Sequence, residues 1–103
     1  MYYVYVIQSK KDGHFYTGFT SDLQNRFREH NTGRVSSTKE RVPFELIYYE
    51  ACLNEQDALA REKYLKSGMG KRYLRNRLKR FLSLTGRVEE AKVPYVTKMK
   101  RKC

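Results

Sequence analysis

Aromatic and β-branched residues dominate the start of the chain and predict a β-hairpin. Residues 2–8 consist almost entirely of such residues, which favour a strand. The pair Asp12-Gly13 marks a turn, and residues 14–19 predict a second strand. Side chains alternate between the two faces of a strand. In the first strand, Tyr3, Tyr5 and Ile7 share one face and Val4 and Val6 the other; in the second, Tyr16 and Gly18 share one face and Phe15, Thr17 and Phe19 the other. The sequence leaves the register between the strands open, and parity allows Tyr5 and Tyr16 to face the same side.

Helical spacing replaces the alternation after residue 20 and predicts the first helix. Ser21 is the expected N-cap, because a glutamine three residues later completes a capping box. Leu23 and Phe27 form an apolar i,i+4 pair, and Arg26 and His30 form a second pair beside it. We therefore expect Arg26 and His30 along the edge of the face that packs on the sheet.

A third strand and two further helices complete the predicted domain, which covers residues 1–82. Residues 44–49 alternate as a strand, with one face formed by Phe44, Leu46 and Tyr48. Residues 33–43 predict a polar loop, whose hydroxyl groups and cations suit phosphate contacts. An ordinary solvated connection explains that loop equally well. The last helix is predicted over residues 71–82, after a break at Ser67-Gly68-Met69-Gly70.

The second helix carries a carboxylate in its apolar stripe. It begins at the N-cap Asn54 and runs to about Lys66, and its stripe is predicted to be Ala58, Leu59 and Leu65, with Glu62 in the middle. A carboxylate that faces a core costs several kcal/mol unless it is paired or bound to a metal. A hard cation such as Mg²⁺ needs only one or two carboxylates in addition to water and phosphate oxygens, so Glu62 alone suffices. The alternative is an ion pair with Lys66 or exposure to solvent.

The charge balance indicates a polyanionic partner, nucleic acid first. The chain has 22 Lys and Arg against 11 Asp and Glu in 103 residues. The last predicted helix has no acidic residue among its six cations, Lys71, Arg72, Arg75, Arg77, Lys79 and Arg80. Residues 83–103 lack apolar periodicity and predict a basic, disordered tail. A membrane is not expected, since no apolar run approaches the roughly 20 residues that span a bilayer.

Cysteine and histidine spacing argues against a zinc site and for a reducing compartment. Cys52 and Cys103 are far apart in sequence and predict reduced thiols in a cytoplasmic protein, with no cleavable signal pattern before them. Neither cysteine stands at a paired spacing with the other or with His14 or His30, as zinc requires.

Taken together, these residues resemble the GIY-YIG endonuclease family over residues 2–82. The resemblance rests on Tyr3-Val4-Tyr5, then Tyr16-Thr17-Gly18, then Arg26, His30 and Glu62. Eleven residues separate Tyr5 from Tyr16, ten separate Tyr16 from Arg26, and fourteen separate Tyr16 from His30. Residues 61–68 also resemble small single-domain bacterial members. One departure is Tyr3-Val4, where the family name has Gly-Ile.

The resemblance implies an α/β fold of the α+β type, with a three-stranded antiparallel sheet flanked by helices. It implies one Mg²⁺ or Mn²⁺ ion held by Glu62 and the phosphate. Tyr5 is expected to take a proton from the attacking water, with Tyr16 and His30 assisting and Arg26 stabilising the transition state. Candidate nucleic-acid contacts are Lys39, Lys71, Arg72, Arg75 and Asn76, although a helical wheel turns Asn76 toward solvent.

The function expected from the sequence is hydrolysis of DNA phosphodiester bonds by a monomer, with structure-dependent or non-specific cutting. The small size leaves no separate specificity domain, so affinity should come mainly from salt-dependent charge contacts. Two alternatives stay open at this point. One is a nucleic-acid binding module that keeps the scaffold without turnover. The other is a basic, partner-associated protein in which residues 83–103 provide the binding.

Overall fold

A three-stranded antiparallel sheet with the strand order β2-β1-β3 forms the centre of the fold. The structure is a computed structural model that describes residues 1–85. The strands are β1 (Tyr2–Ser9), β2 (Phe15–Thr20) and β3 (Phe44–Cys52). The helices are α1 (Leu23–Asn31), α2 (Glu55–Lys66), α3 (Gly68–Arg77) and α4 (Lys79–Thr85), and a 3-10 turn covers Lys39–Arg41. The predicted α+β class and the three-stranded antiparallel sheet are confirmed.

The alternation of side chains along β1 divides the core into two layers, as the sequence predicted. Val4 and Val6 are buried on one face against Ala58 and Leu65 of α2 and Leu74 of α3. The opposite face carries a second cluster made of Tyr5, Ile7 and Phe44, packed by Tyr16, Leu23 and Phe27. The sheet is therefore covered by α2 and α3 on one side and by α1 on the other.

A β-bulge in β3 reverses one predicted assignment. Val6 pairs with Tyr48 and Ile7 pairs with Leu46, so Ile47 is the extra residue between them. A bulge shifts the alternation by one position. Tyr48 therefore packs with the Val4 and Val6 layer, and the prediction that it shares a face with Phe44 and Leu46 was wrong.

Local capping differs from the prediction at α1. The N-cap is Asp22, whose side chain accepts a hydrogen bond from the backbone N–H of Asn25, so the predicted Ser21 cap was wrong by one residue. Thr20 Oγ1 accepts a 3.0 Å hydrogen bond from the Asp22 N–H and fixes the entry of the chain. The helix still presents Leu23 and Phe27 to the sheet as expected.

The junction after α2 is tighter than the predicted break. Ser67 ends α2 and is also the N-cap of α3, where its side chain accepts a hydrogen bond from the Gly70 N–H. A Cβ at Gly70 would overlap the backbone of Tyr64 and Leu65, so glycine lets the two helices approach closely. The predicted helix over residues 71–82 therefore starts at Gly68, and it is divided at Leu78.

Three smaller corrections concern α2, the loop and the tail. Leu59 is 36% exposed, so it lies outside the apolar stripe of α2. The loop over residues 33–43 is not merely solvated, because Val35 and Thr38 are buried. Residues 83–85, assigned to the tail, belong to α4. The rest of the predicted basic tail, residues 86–103, lies outside the described residues. Among residues 1–85, no helix is long and apolar enough to span a bilayer.

Candidate active site

The hydroxyl end of Tyr5 is the centre of the candidate site, and Gly18 determines where that hydroxyl lies. The two residues are partners across β1 and β2. A Cβ built on Gly18 would overlap the Tyr5 Oη, so the ring occupies the space that any other residue would need. Tyr5 is 1% exposed. The strand pairing therefore places the Tyr5 ring over Gly18 of β2, and this packing fixes the position of the Tyr5 hydroxyl.

His30 receives the Tyr5 hydroxyl in a buried hydrogen-bond chain. Tyr5 Oη lies 2.7 Å from His30 Nε2, and His30 Nδ1 lies 2.8 Å from Thr38 Oγ1. The Thr38 hydroxyl donates to the carbonyl oxygen of Val35 at 3.4 Å, which leaves its lone pairs for the imidazole. We infer that Nδ1 carries the histidine proton and donates to Thr38. His30 Nε2 then accepts the proton of the Tyr5 hydroxyl.

Burial keeps Tyr5 and His30, the two titratable members of this chain, neutral at pH 7. Desolvation raises the pKa of Tyr5 to about 12, an effect that Arg26 opposes and that Tyr16 and Glu62 reinforce. Desolvation also lowers the pKa of His30 to about 4, helped by the positive charge of Arg26 and opposed by Glu29. His30 has no exposed surface. The proton of the pair therefore resides on Tyr5 in the free protein, and His30 is available to accept it.

Arg26 supplies the positive charge beside the Tyr5 hydroxyl. Its guanidinium interacts with that hydroxyl and forms a 2.9 Å ion pair with Glu29. The pKa of Arg26 is raised, chiefly by the hydrogen bond to Glu29 and also by Tyr5. Because 37% of the Arg26 side chain is exposed, the guanidinium can meet both the buried phenol and a phosphate from solvent.

Tyr16 lies on the same side of the sheet as Tyr5, an arrangement that the predicted parity allowed. Its ring centroid is 5.0 Å from that of His30 and 6.5 Å from that of Tyr5. Tyr16 is half-buried. Tyr16 therefore keeps surface that solvent or a ligand can reach, whereas Tyr5 keeps almost none.

Glu62 approaches the same hydroxyl from α2. Its negative charge is the last and smallest of the causes that act on the pKa of Tyr5, which it raises. Lys66 forms a 2.9 Å ion pair with Glu62, so the pairing that the sequence left as an alternative is present. Glu62 keeps 20% of its side chain exposed. The structure thus brings Tyr16, Arg26 and His30 to Tyr5, and Glu62 is linked to this group by its charge alone.

The donor set around Glu62 limits the kind of metal site that is feasible. Within the described part of the chain, no three His, Cys, Asp or Glu side chains cluster as metal ligands. A single carboxylate matches a Mg²⁺-type ion that takes its other ligands from water and substrate phosphate. It does not match a closed site made only of protein ligands. The residues present are therefore compatible with an ion that is completed by the bound substrate.

The residues predicted to contact nucleic acid are all on the surface. Each of them is exposed, and they are Lys39, Lys71, Arg72, Arg75 and Asn76. Arg72 and Asn76 line one groove on α3. Lys39 lies in the 3-10 turn, one residue after the buried Thr38. Their contact with nucleic acid remains a prediction.

Sequence reasoning missed two residues of the site, Thr38 and Gly18. Thr38 stands in a polar loop with no periodic signal, and only the fold brings it to His30. Gly18 was assigned to the correct face, but its role depends on the hairpin register, which places it opposite Tyr5. A glycine inside a strand is a signal of close approach by another group. That signal was present in the sequence.

Comparison with known proteins finds a matching family model and several similar proteins. Residues 1–79 match a family model described as the GIY-YIG catalytic domain. A UPF0213 protein of Streptococcus agalactiae is 40% identical over 65 residues, which cover 62% of this chain and 73% of that protein. A UPF0213 protein of Haloquadratum walsbyi is 39% identical over 67 residues, covering 64% and 74%. The solution NMR structure of a UPF0213 protein from Bacillus halodurans is 35% identical, with a TM-score of 0.46, covering 72% and 82%.

Proposed function

Because the chain belongs to the GIY-YIG catalytic domain family, we propose that it is a metal-dependent endonuclease that hydrolyses DNA phosphodiester bonds. The observation that supports this most directly is the grouping of Tyr16, Arg26 and His30 around the hydroxyl of Tyr5, with the charge of Glu62 acting on it from α2. Tyr5 is hydrogen-bonded to His30, Tyr16 lies beside both, and the charges of Arg26 and Glu62 act on the same oxygen. Cutting is expected to be structure-dependent or non-specific.

The buried chain supports a two-step movement of one proton equivalent. Tyr5 already donates its proton to His30, so its oxygen can accept a proton from the attacking water as its own proton passes to Nε2. The water oxygen then bonds to phosphorus as the bond to the leaving oxygen breaks. His30 then returns this proton through Tyr5 to solvent, and the leaving oxygen takes up a proton from water, so that the chain regains its starting protonation. Its low pKa keeps His30 neutral at pH 7, so that Nε2 has a lone pair for this proton, and the same low pKa makes the protonated state short-lived.

The remaining three residues would act on the phosphate and the water. Arg26 is exposed enough to pair with a phosphate oxygen and to balance the charge that builds up in the transition state. Tyr16 would orient the water or the phosphate with its accessible hydroxyl. Glu62 would give up its ion pair with Lys66 and would bind a Mg²⁺ or Mn²⁺ ion together with the substrate. That ion supplies charge neutralisation and activates bound water when it is present.

A non-catalytic nucleic-acid binding module is the second candidate, and one observation favours it. Tyr5 is 1% exposed and belongs to the apolar cluster with Ile7 and Phe44. A phenol so deeply packed is a structural residue in most proteins, and water must reach its oxygen for the proposed chemistry. In this second case the exposed cations on α3 and Arg26 would bind nucleic acid without turnover.

A plasmid-nicking assay in Mg²⁺ or Mn²⁺ separates the two candidates. The chain should convert supercoiled plasmid to the nicked form, and Glu62→Gln and Arg26→Ala should each reduce the rate by about 100-fold or more. The matched control is Glu45→Gln, which makes the same chemical change in the edge strand β3 and should leave the rate unchanged. Equal nicking by all variants would indicate a contaminating nuclease. DNA binding by all of them without any nicking would establish the binding module. Cytoplasmic location and a monomeric state stay predictions.

A further inference from the structure

A second candidate binding surface lies on the opposite flank of α2 from Glu62. It is an open groove of about 440 Å³ between the end of α2 and α3, lined by Tyr64, Met69, Arg72, Tyr73 and Asn76. Residues two positions apart on a helix point about 200° apart, so Tyr64 and Glu62 face different sides of α2. The groove therefore does not belong to the site around Tyr5.

The aromatic walls of this groove are held in place by a half-buried charge network. Arg61 lies between the rings of Tyr64 and Tyr73, with its guanidinium carbon 5.2 Å and 5.0 Å from their centroids. Three hydrogen bonds of 2.9–3.1 Å fix that guanidinium to Glu50. The Tyr48 hydroxyl donates to Glu50 at 2.6 Å and lies 3.3 Å from the Tyr73 hydroxyl. The rings are thus ordered before any ligand arrives, which reduces the entropy lost on binding.

The charge on this side of the protein is positive. Glu50 neutralises Arg61, so the groove itself carries the charge of Arg72 and no acidic lining residue. The rest of α3 adds Lys71, Arg75 and Arg77 without any acidic residue. A ligand that fits must therefore combine negative charge with a flat surface that stacks on aromatic rings. An amide at Asn76 offers both a donor and an acceptor for hydrogen bonds along such a surface.

We propose that this groove binds an unpaired base of single-stranded nucleic acid, with Arg72 on the adjacent phosphate. Stacking on tyrosine is available only to bases that have left a duplex, because paired bases already cover each other's faces. Tyr64 is 36% exposed and Met69 is 67% exposed, so a base can reach both. The proposal concerns binding and holds whether or not the Tyr5 site cleaves DNA.

The test is a fluorescence-anisotropy titration of the full chain in EDTA, where no metal-dependent cleavage occurs. The probes are a fluorescein-labelled 12-mer oligothymidylate and a labelled 12-base-pair duplex. Tyr64→Ala should weaken oligothymidylate binding about tenfold and duplex binding less than about twofold, whereas Tyr64→Phe should bind as the unchanged chain does. An equal loss for both probes, or no loss for either, would overturn the proposal.

A second pair of variants covers the case in which Tyr64→Ala fails to fold. Met69→Glu places a carboxylate in the groove at an exposed position, and Leu53→Glu makes the same charge change at a residue that is 84% exposed and outside the groove. Met69→Glu should weaken oligothymidylate binding at least fivefold more than Leu53→Glu does. Equal effects would show that only net charge matters. Displacement of the oligothymidylate by poly-glutamate at equal charge concentration would likewise reduce the groove to a general anion site and overturn the proposal.

Discussion

Tyr5 and Gly18 face each other across β1 and β2, and the tyrosine ring fills the space above the glycine. This close approach aims the phenol at His30, 2.7 Å from its hydroxyl oxygen. The tyrosine and glycine of the hairpin are thus one structural unit. Any side chain at position 18 has to displace the ring from the histidine that accepts its proton.

Gly18→Ala should therefore lower both stability and activity. Overpacking at a buried strand position costs about 1–3 kcal/mol in the free energy of unfolding, which urea denaturation measures. The nicking rate should fall with it, since Tyr5 loses its fixed position. The control is Gly68→Ala, where an added Cβ meets nothing within 4 Å and should not destabilise the chain. Equal stability of the two variants would mean that the ring can move aside freely.

Thr38→Val should impair the proton chain without changing the shape of the core. Valine removes the hydroxyl that accepts from His30 Nδ1, so a buried N–H is left without a partner, at a cost of about 1–3 kcal/mol. The histidine is then free to turn or to change tautomer. We expect kcat for nicking to fall while KM for DNA stays constant, because Thr38 is buried and does not face substrate. Thr38→Ser should restore kcat. A change confined to KM would place Thr38 in DNA binding instead.

His30 should make the chain less stable in mild acid. Its pKa is about 4 in the folded chain against an ordinary value of 6.5, so the unfolded chain binds a proton that the folded chain does not over that interval. The free energy of unfolding is therefore unaffected by His30 above pH 6.5 and falls by about 3 kcal/mol on lowering the pH to 4. Urea denaturation at several pH values measures this, with His30→Gln as the comparison.

The pH dependence of stability expected for His30→Gln follows from the lowered pKa of His30. That variant should lose most of the slope between pH 6.5 and 4, leaving only the contribution of carboxylates such as Asp12 and Glu50, whose pKa values are lowered. The acid limb of kcat/KM for nicking should likewise lie well below pH 6.5. An unchanged slope in His30→Gln would mean that His30 titrates as an exposed imidazole does.

The sequence predicted the two layers of the core because alternation in a short strand and i,i+4 spacing in a helix are local properties. Tyr5, Ile7, Val4 and Val6 lie on the faces that their parity required. Tyr48 lies on the face opposite to the predicted one, because of the bulge in β3. A bulge depends on how two strands pair, and no residue within β3 predicts it. The division of α3 from α4 at Leu78 was missed as well, because the apolar spacing continues across it.

For the candidate site, the family resemblance pointed to Tyr5, Tyr16, Arg26, His30 and Glu62, and the structure groups the first four, but the sequence alone could not give their protonation. The buried environment of Tyr5 and His30 comes from the third strand and from the loop that carries Thr38. Thr38 follows His30 by eight residues. Arg61 was not singled out at all. Its partner Glu50 stands eleven residues earlier, in another element, so their pairing is visible only in the fold.

Arg61 and Glu50 should be strongly coupled in stability. The exposed fraction is 31% for the Arg61 side chain and 24% for the Glu50 side chain. Burial alone would raise the pKa of Glu50, but the hydrogen bonds from Arg61 and Tyr48 outweigh it, and the pKa is lowered. Glu50→Gln leaves the Arg61 charge half-buried and should cost about 2 kcal/mol, less than a fully buried pair would lose. The double variant Glu50→Gln/Arg61→Gln should recover part of this loss.

A carboxylate with a lowered pKa stabilises above its ordinary pKa and loses that effect in acid. The difference between the unchanged chain and Glu50→Gln should accordingly shrink as the pH falls toward 3. Additive single and double variants at pH 7 would show that the pair contributes packing alone.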